Sequence, residues 1–118
     1  MNVQRGDVVL IDYPYTSSSL TKVSPVLVIQ SDRDNQRLNN TIVVQITSQT
    51  QRALEPTQLL IEIATQAGQE SGLRQDSVIN CLNLVTLNRD KILRKLGSLP
   101  DSSMQEVNIC LKSALELP

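Results

Sequence analysis

Lys22-Val23-Ser24-Pro25-Val26-Leu27-Val28-Ile29-Gln30 decides the fold, read together with Thr41-Ile42-Val43-Val44-Gln45-Ile46-Thr47-Ser48. Both runs are rich in β-branched residues and bounded by polar, turn-prone ones, which is how strands read. Strand side chains alternate with period two, so Ile42, Val44 and Ile46 fall on one face and Thr41, Val43, Gln45 and Thr47 on the other. In the first run Lys22 and Ser24 share a face with Val26, Val28 and Gln30. Paired, the two strands put Lys22, Ser24, Thr47 and Ser48 at one end of the sheet, with no aliphatic side chain among them. That end reads either as a solvated edge or as a small floor for an anion.

On the N-terminal side, Arg5-Gly6-Asp7 is a turn. Val8 to Tyr13 is a strand apolar on both faces, suited to packing inside a barrel or between a sheet and a helix. Pro14 ends it, and Tyr15 to Thr21 is a polar loop. Ser31 to Asn40 reads as a short helix or an irregular connection, and Gln49 to Pro56 as a second polar loop. Gln58 to Ile63 alternates as a half-buried strand with Leu59, Ile61 and Ile63 inward. Thr65 to Gln75, holding Gly68 and Gly72, reads as a loop that leads into a strand over Ser77 to Leu82. Leu84 to Leu87 continues or restarts that strand. Asn88 to Lys91 reads as a capped helical turn closed by Gly97. The last element is a helix begun by Pro100-Asp101-Ser102, with a capping box from Ser102 and Gln105 or from Ser103 and Glu106. Met104, Val107, Leu111, Ala114 and Leu115 form its apolar stripe, which reads as core or subunit interface. Short strands and one terminal helix give a β-rich α+β class. The expected architecture is a small, strongly bent sheet closed on itself, the helix covering an open side, as one domain over residues 1–118.

With 118 residues the chain can bury a core without staples. A formal net charge of −1 and a pI near 5.3 exclude a generally basic nucleic-acid binder, so any RNA or DNA needs a locally positive cleft. The absence of His excludes His-based acid–base chemistry and His-containing metal sites. Cys81 and Cys110 lack metal spacing and read as buried thiols in a reducing compartment, with a disulfide as the alternative. The N-terminus has no apolar signal core and no run spans a bilayer, so the expected location is the cytoplasm. Asn39-Asn40-Thr41 matches the glycosylation pattern, an empty match without export.

Arg5-Gly6-Asp7-Val8-Val9, Pro25-Val26-Leu27-Val28-Ile29 and Ile46-Thr47-Ser48-Gln49 together resemble the MazF/PemK family of toxin endoribonucleases. Gly72-Leu73-Arg74-Gln75-Asp76-Ser77-Val78-Ile79, Thr86-Leu87-Asn88-Arg89-Asp90, Leu96-Gly97-Ser98-Leu99 and the final helix follow in the family's order, so the resemblance covers nearly the full chain. It implies an SH3-like small barrel with a C-terminal helix, assembled as a homodimer. It also implies cofactor-free, metal-independent cleavage of single-stranded RNA to 2′,3′-cyclic phosphate and 5′-hydroxyl ends. The implied partner is a small MazE-like antitoxin whose disordered tail lies across the RNA groove, with operator DNA met only through the antitoxin complex.

The chain departs from that pattern at Ser24, where family members commonly carry an Arg before the Pro. In the family that Arg and the Thr corresponding to Thr47 are placed at the scissile phosphate. A Ser donates a hydrogen bond but brings no charge, and losing one preorganised stabiliser costs roughly 10²–10³ in rate. Two substitutes stand in the sequence. Lys22, about 7 Å along the same face of an extended strand, is either a solvated edge lysine or a cation reaching back to the phosphate. Arg74 with Asp76 is either a surface ion pair or an acid–base and charge-stabilising pair of the kind some family members use. Thr47 has the strongest claim to the chemistry. Tyr15, Thr16, Ser48, Gln49 and Arg33 are the candidate RNA contacts, although Arg33 reads first as part of a solvated connection. Besides the nuclease, two other functions fit the fold. One is a catalytically weak regulatory module binding RNA, DNA or antitoxin, which Ser24 favours; the other is a gyrase-directed toxin like CcdB, which the nuclease-type motifs disfavour.

Overall fold

The computed structural model describes residues 2–14 and 21–118. It contains six strands, three α-helices and a 3-10 turn. In chain order these are β1 (Asp7–Pro14), β2 (Thr21–Val28), α1 (Asp32–Arg37), β3 (Asn40–Thr47), β4 (Gln58–Ile61), α2 (Gln66–Ser71), β5 (Ser77–Asn88), the 3-10 turn (Arg89–Lys91), β6 (Ile92–Ser98) and α3 (Asp101–Leu115). All strand pairs are antiparallel, in the order β4-β5-β3-β2-β1-β6.

Alternation along the central strands builds two cores, one per sheet face. Val8, Leu27, Val44, Ile46, Ile79 and Cys81 pack with Met104, Val107 and Cys110 of α3. Val9, Ile11, Tyr13, Val26, Val28 and Val43 pack on the other side with Val3 and Ile92. The β-rich α+β reading thus describes the molecule, and β1, β2 and β3 fall where the strand pattern puts them. The turn at Arg5-Gly6-Asp7 ties this frame together. Gly6 has φ +97, Arg5 Nε donates to the Ile29 carbonyl at 2.8 Å, and Arg5 Nη2 donates to Asn108 Oδ1 on α3.

Several expectations are corrected. The sheet is not closed on itself, since β4 and β6 are both edges. The segment read as a loop over Thr65 to Gln75 contains α2, which fills the gap between those edges. Thr65 caps it by accepting from the Gly68 amide at 3.1 Å, and Gly72 ends it with φ +74. Gly68 within α2 and Gly72 at its end both signal contact as much as flexibility. A Cβ on Gly68 would meet the Glu62 carbonyl, and one on Gly72 the Leu96 carbonyl of β6.

Residues 92–98 form an edge strand, with Gly97 paired to Val8 and pressed against Glu70 and Ser71 of α2; the 3-10 turn before it is closed by the Ile92 amide on Arg89. No capping box starts α3. Pro100 is its cap without a side-chain bond, and Ser103 is buried under the helix. Ile63, expected inward, lies beyond β4 and is exposed, while Leu59 and Ile61 pack on the core. Leu115, at the end of the α3 stripe, is also exposed.

Candidate functional site: a cleft between two parted strands

β2 pairs with β3 only at Val26, Leu27 and Val28. The ladder stops next to Pro25, which has no N–H to give it. Beyond that point β2 keeps β1 as neighbour, with Ser24 opposite Ile11, and β3 keeps β5, with Thr47 opposite Val78. The two strands therefore part, and a cleft of about 730 Å³ opens between them.

Lys22, Ser24, Thr47, Ser48, Gln49 and Arg74, all singled out from sequence, line this cleft. Ser24 is buried, and its hydroxyl donates to the Lys22 carbonyl at 3.1 Å. Thr47 is half-buried, and its Oγ1 accepts from the Gln49 amide at 3.1 Å, which shapes the turn carrying Ser48. By alternation Ser24, Gln45 and Thr47 share one face, because Gln45 pairs with Val26. Arg74 enters from the segment joining α2 to β5. Asp76 does not join it in the cleft. Its Oδ1 accepts from the Ile63 amide at 2.9 Å, tying that segment to the end of β4. Arg33 is exposed on α1, away from the cleft lining. Tyr15 and Thr16 lie outside the described residues.

β6 adds two cations that the sequence reading did not select, Arg94 and Lys95. Arg94 is paired with Leu10, on the opposite sheet face from Ser24. Lys95 Nζ sits 3.1 Å from the buried Asp7 carboxylate. Among the described residues, Lys22, Arg74 and Arg94 form no ion pair, and no Asp or Glu lines the cleft. In a chain of net charge −1 the cleft is thus a local concentration of positive charge, hydroxyls and amides. It can hold a polyanion and donate hydrogen bonds to it. Among the described residues no group of three Asp, Glu, Cys or His side chains could grip a metal ion. Cys81 and Cys110 are free thiols buried away from the cleft, and burial pushes Cys81 up to about 12.

The chain matches the model of the PemK-like, MazF-like toxin of type II toxin–antitoxin systems over residues 4–115. It is 36% identical over 118 residues to endoribonuclease EndoA of Bacillus subtilis (strain 168), covering 99% of this chain and 97% of that one. It is 36% identical over 119 residues to endoribonuclease MazF6 of Mycobacterium tuberculosis (strain ATCC 25618 / H37Rv), covering 99% of this chain and 100% of that one. In fold it is similar to an endoribonuclease solved with its cognate antitoxin from a mycobacterial species. That match has a TM-score of 0.79 at 24% identity, over 98% of this chain and 97% of that one. A MazE–MazF structure from Deinococcus radiodurans matches with a TM-score of 0.75 at 17% identity, over the full length of both chains.

Proposed function

The chain belongs to the PemK-like, MazF-like toxin family of type II toxin–antitoxin systems, and from that premise we propose that its cleft cleaves single-stranded RNA without a metal ion. The observation that carries this is the cleft itself, lined by Lys22 and Arg74 with Ser24, Thr47 and Ser48, and by Arg94 from the other sheet face, with no carboxylate lining it among the described residues. In the reaction the ribose 2′-hydroxyl attacks the adjacent phosphorus and the bond to the 5′-oxygen breaks. The 2′-proton leaves and the departing 5′-oxygen gains one, giving a 2′,3′-cyclic phosphate and a 5′-hydroxyl. Negative charge grows on the phosphoryl oxygens, and preorganised donors and cations aimed there lower the barrier. Thr47 supplies a hydroxyl, Ser24, whose proton goes to the Lys22 carbonyl, shapes the floor beside it, and Lys22 and Arg74 supply the charge that an Arg in place of Ser24 would bring. Asp76 enters only as the anchor of the segment bearing Arg74, and Ser48 and Gln49 extend the contact to the backbone.

The same proposal makes the chain a single-domain cytoplasmic protein acting as a homodimer. A protein antitoxin with an acidic, extended segment occupies the cleft in place of RNA, and operator DNA is met only through that complex. No helix of the described residues is long and apolar enough to cross a membrane. The test is incubation of purified protein with a long single-stranded RNA in EDTA, followed by end-group analysis. Discrete cuts ending in cyclic phosphate are expected. Tight binding that leaves the RNA intact would instead establish the non-catalytic binding module, the reading that Ser24 favours.

A further inference from the structure

Gln45 lies in β3 opposite Val26 on one side and Asn80 on the other, and it lines the cleft. Between Val44 and Gln45 the register with β5 slips from Leu84 to Asn80. The slip brings two asparagines onto one glutamine. Asn80 Nδ2 donates to Gln45 Oε1 at 3.1 Å, and Asn83 Nδ2 donates to the same oxygen at 2.8 Å.

A backbone group fixes the direction of this amide chain. The Leu82 N–H, which can only donate, gives to Asn80 Oδ1 at 3.1 Å, and Gln58 Nε2 gives to the same oxygen at 2.8 Å. With the Asn80 oxygen so identified, its nitrogen faces Gln45, and Gln45 must answer with its own oxygen. Gln45 Nε2 is left with two N–H groups and no partner among the described residues. No buried side-chain nitrogen or oxygen among them lacks a partner, so this nitrogen reaches solvent, on the face it shares with Thr47. Two residues along one strand, the side chains stand about 7 Å apart.

We propose that Gln45 is a specificity-determining residue whose locked Nε2 donors read an acceptor on the edge of a single-stranded base beside the scissile phosphate. Asn80 and Asn83 are its positioning residues. The proposal rests on RNA being the cleft's substrate. A neutral amide adds little against the backbone where Lys22 and Arg74 already supply unpaired charge. An amide that cannot turn its oxygen outward, however, distinguishes a base presenting an acceptor from one presenting a donor. Asn83, itself exposed, touches Gln45 and holds the amide in that sense.

The test is positional enrichment in a randomised single-stranded RNA pool in EDTA, read both on RNA retained by the protein and on mapped cut sites. The wild type should prefer bases with an acceptor edge at one position by about tenfold or more. Gln45→Glu keeps the oxygen that Asn80 and Asn83 hold but replaces the donors, so preference at that position should reverse or vanish. Gln45→Met should flatten it, and Asn83→Ala should weaken it at the same position without moving the others. Melting curves establish that each variant is folded. Retained but uncut RNA with the preference intact would defeat the nuclease reading and leave this inference standing. A wild type with no positional preference, or Gln45 variants whose profile matches the wild type while only the overall rate falls, would overturn it.

Discussion

Thr47 and Ser24 carry opposite expectations. On the proposed mechanism Thr47→Ala removes a donor at the phosphate and should slow single-turnover cleavage by roughly 10²-fold. Its loss to stability should be only that of one turn-shaping hydrogen bond to the Gln49 amide, about 1 kcal/mol. Ser24→Arg restores a fixed cation and should raise cleavage by up to about 10²–10³. Because Ser24 is only 5% exposed, its replacement must extend through the cleft mouth and should lower the melting temperature somewhat. A urea titration run beside the kinetics separates the two quantities. Equal loss of rate and stability in Thr47→Ala would make Thr47 a structural residue, and an unchanged rate in Ser24→Arg would end the charge argument. Lys22, Ser24 and Thr47 were readable beforehand because strand alternation alone puts them at one end of a paired sheet. Gln45 was not, since its partners Asn80 and Asn83 reach it only through a register slip that no local pattern announces.

At the level of elements, α2 and β6 were hidden for different reasons. Gly68 and Gly72 within seven residues of sequence read as a loop, yet each is there because another backbone lies where its side chain would be. Residues 92–98 lack alternation, with Ile92 and Leu93 adjacent and Arg94 and Lys95 exposed. Only the ladder to β1 makes them a strand. α3 was legible from its stripe and from its start at Pro100-Asp101-Ser102, although its cap was not, because Ser102 and Ser103 resemble a capping box while Pro100 holds the position. Gly97→Ala tests the α2–β6 crossing. The added methyl meets the Glu70 carbonyl and should cost about 1–3 kcal/mol, a fall of roughly 4 °C in Tm per kcal/mol. Scanning calorimetry checks it, and an unchanged Tm would mean that α2 gives way freely.

For the molecule as a whole, composition predicted that only a local concentration of charge could engage nucleic acid, and the fold supplies it by folding β6 and the α2–β5 connection toward β2. Three unpaired cations imply a salt dependence of single-stranded RNA binding with log–log slope of roughly −2. Arg94→Ala should make that slope shallower by about 0.7, which fluorescence anisotropy across a salt series measures; an identical slope would remove Arg94 from the RNA path. Stability should respond to alkali. Burial raises the folded Cys81 thiol from 9.0 to about 12, so the folded state keeps a proton that the unfolded chain gives up. Stability from this source is intact below pH 9 and is lost as pH rises from there toward 12. Cys81→Ala should flatten the alkaline limb of a denaturation-versus-pH curve, and an equally steep limb would place the effect on other groups.

Pro25 has a last consequence for how guests are admitted. A strand that lacks a hydrogen to offer at this position cannot zip up against its neighbour when nothing is bound, so the mouth stands ajar in the empty protein. On the proposed function RNA and antitoxin alike enter a furrow that is already cut, and none of their affinity goes into prising it apart. If so, amide exchange at Leu27 and Ile29, whose N–H groups face β3 next to the fork, should be as slow in the free protein as in the occupied one.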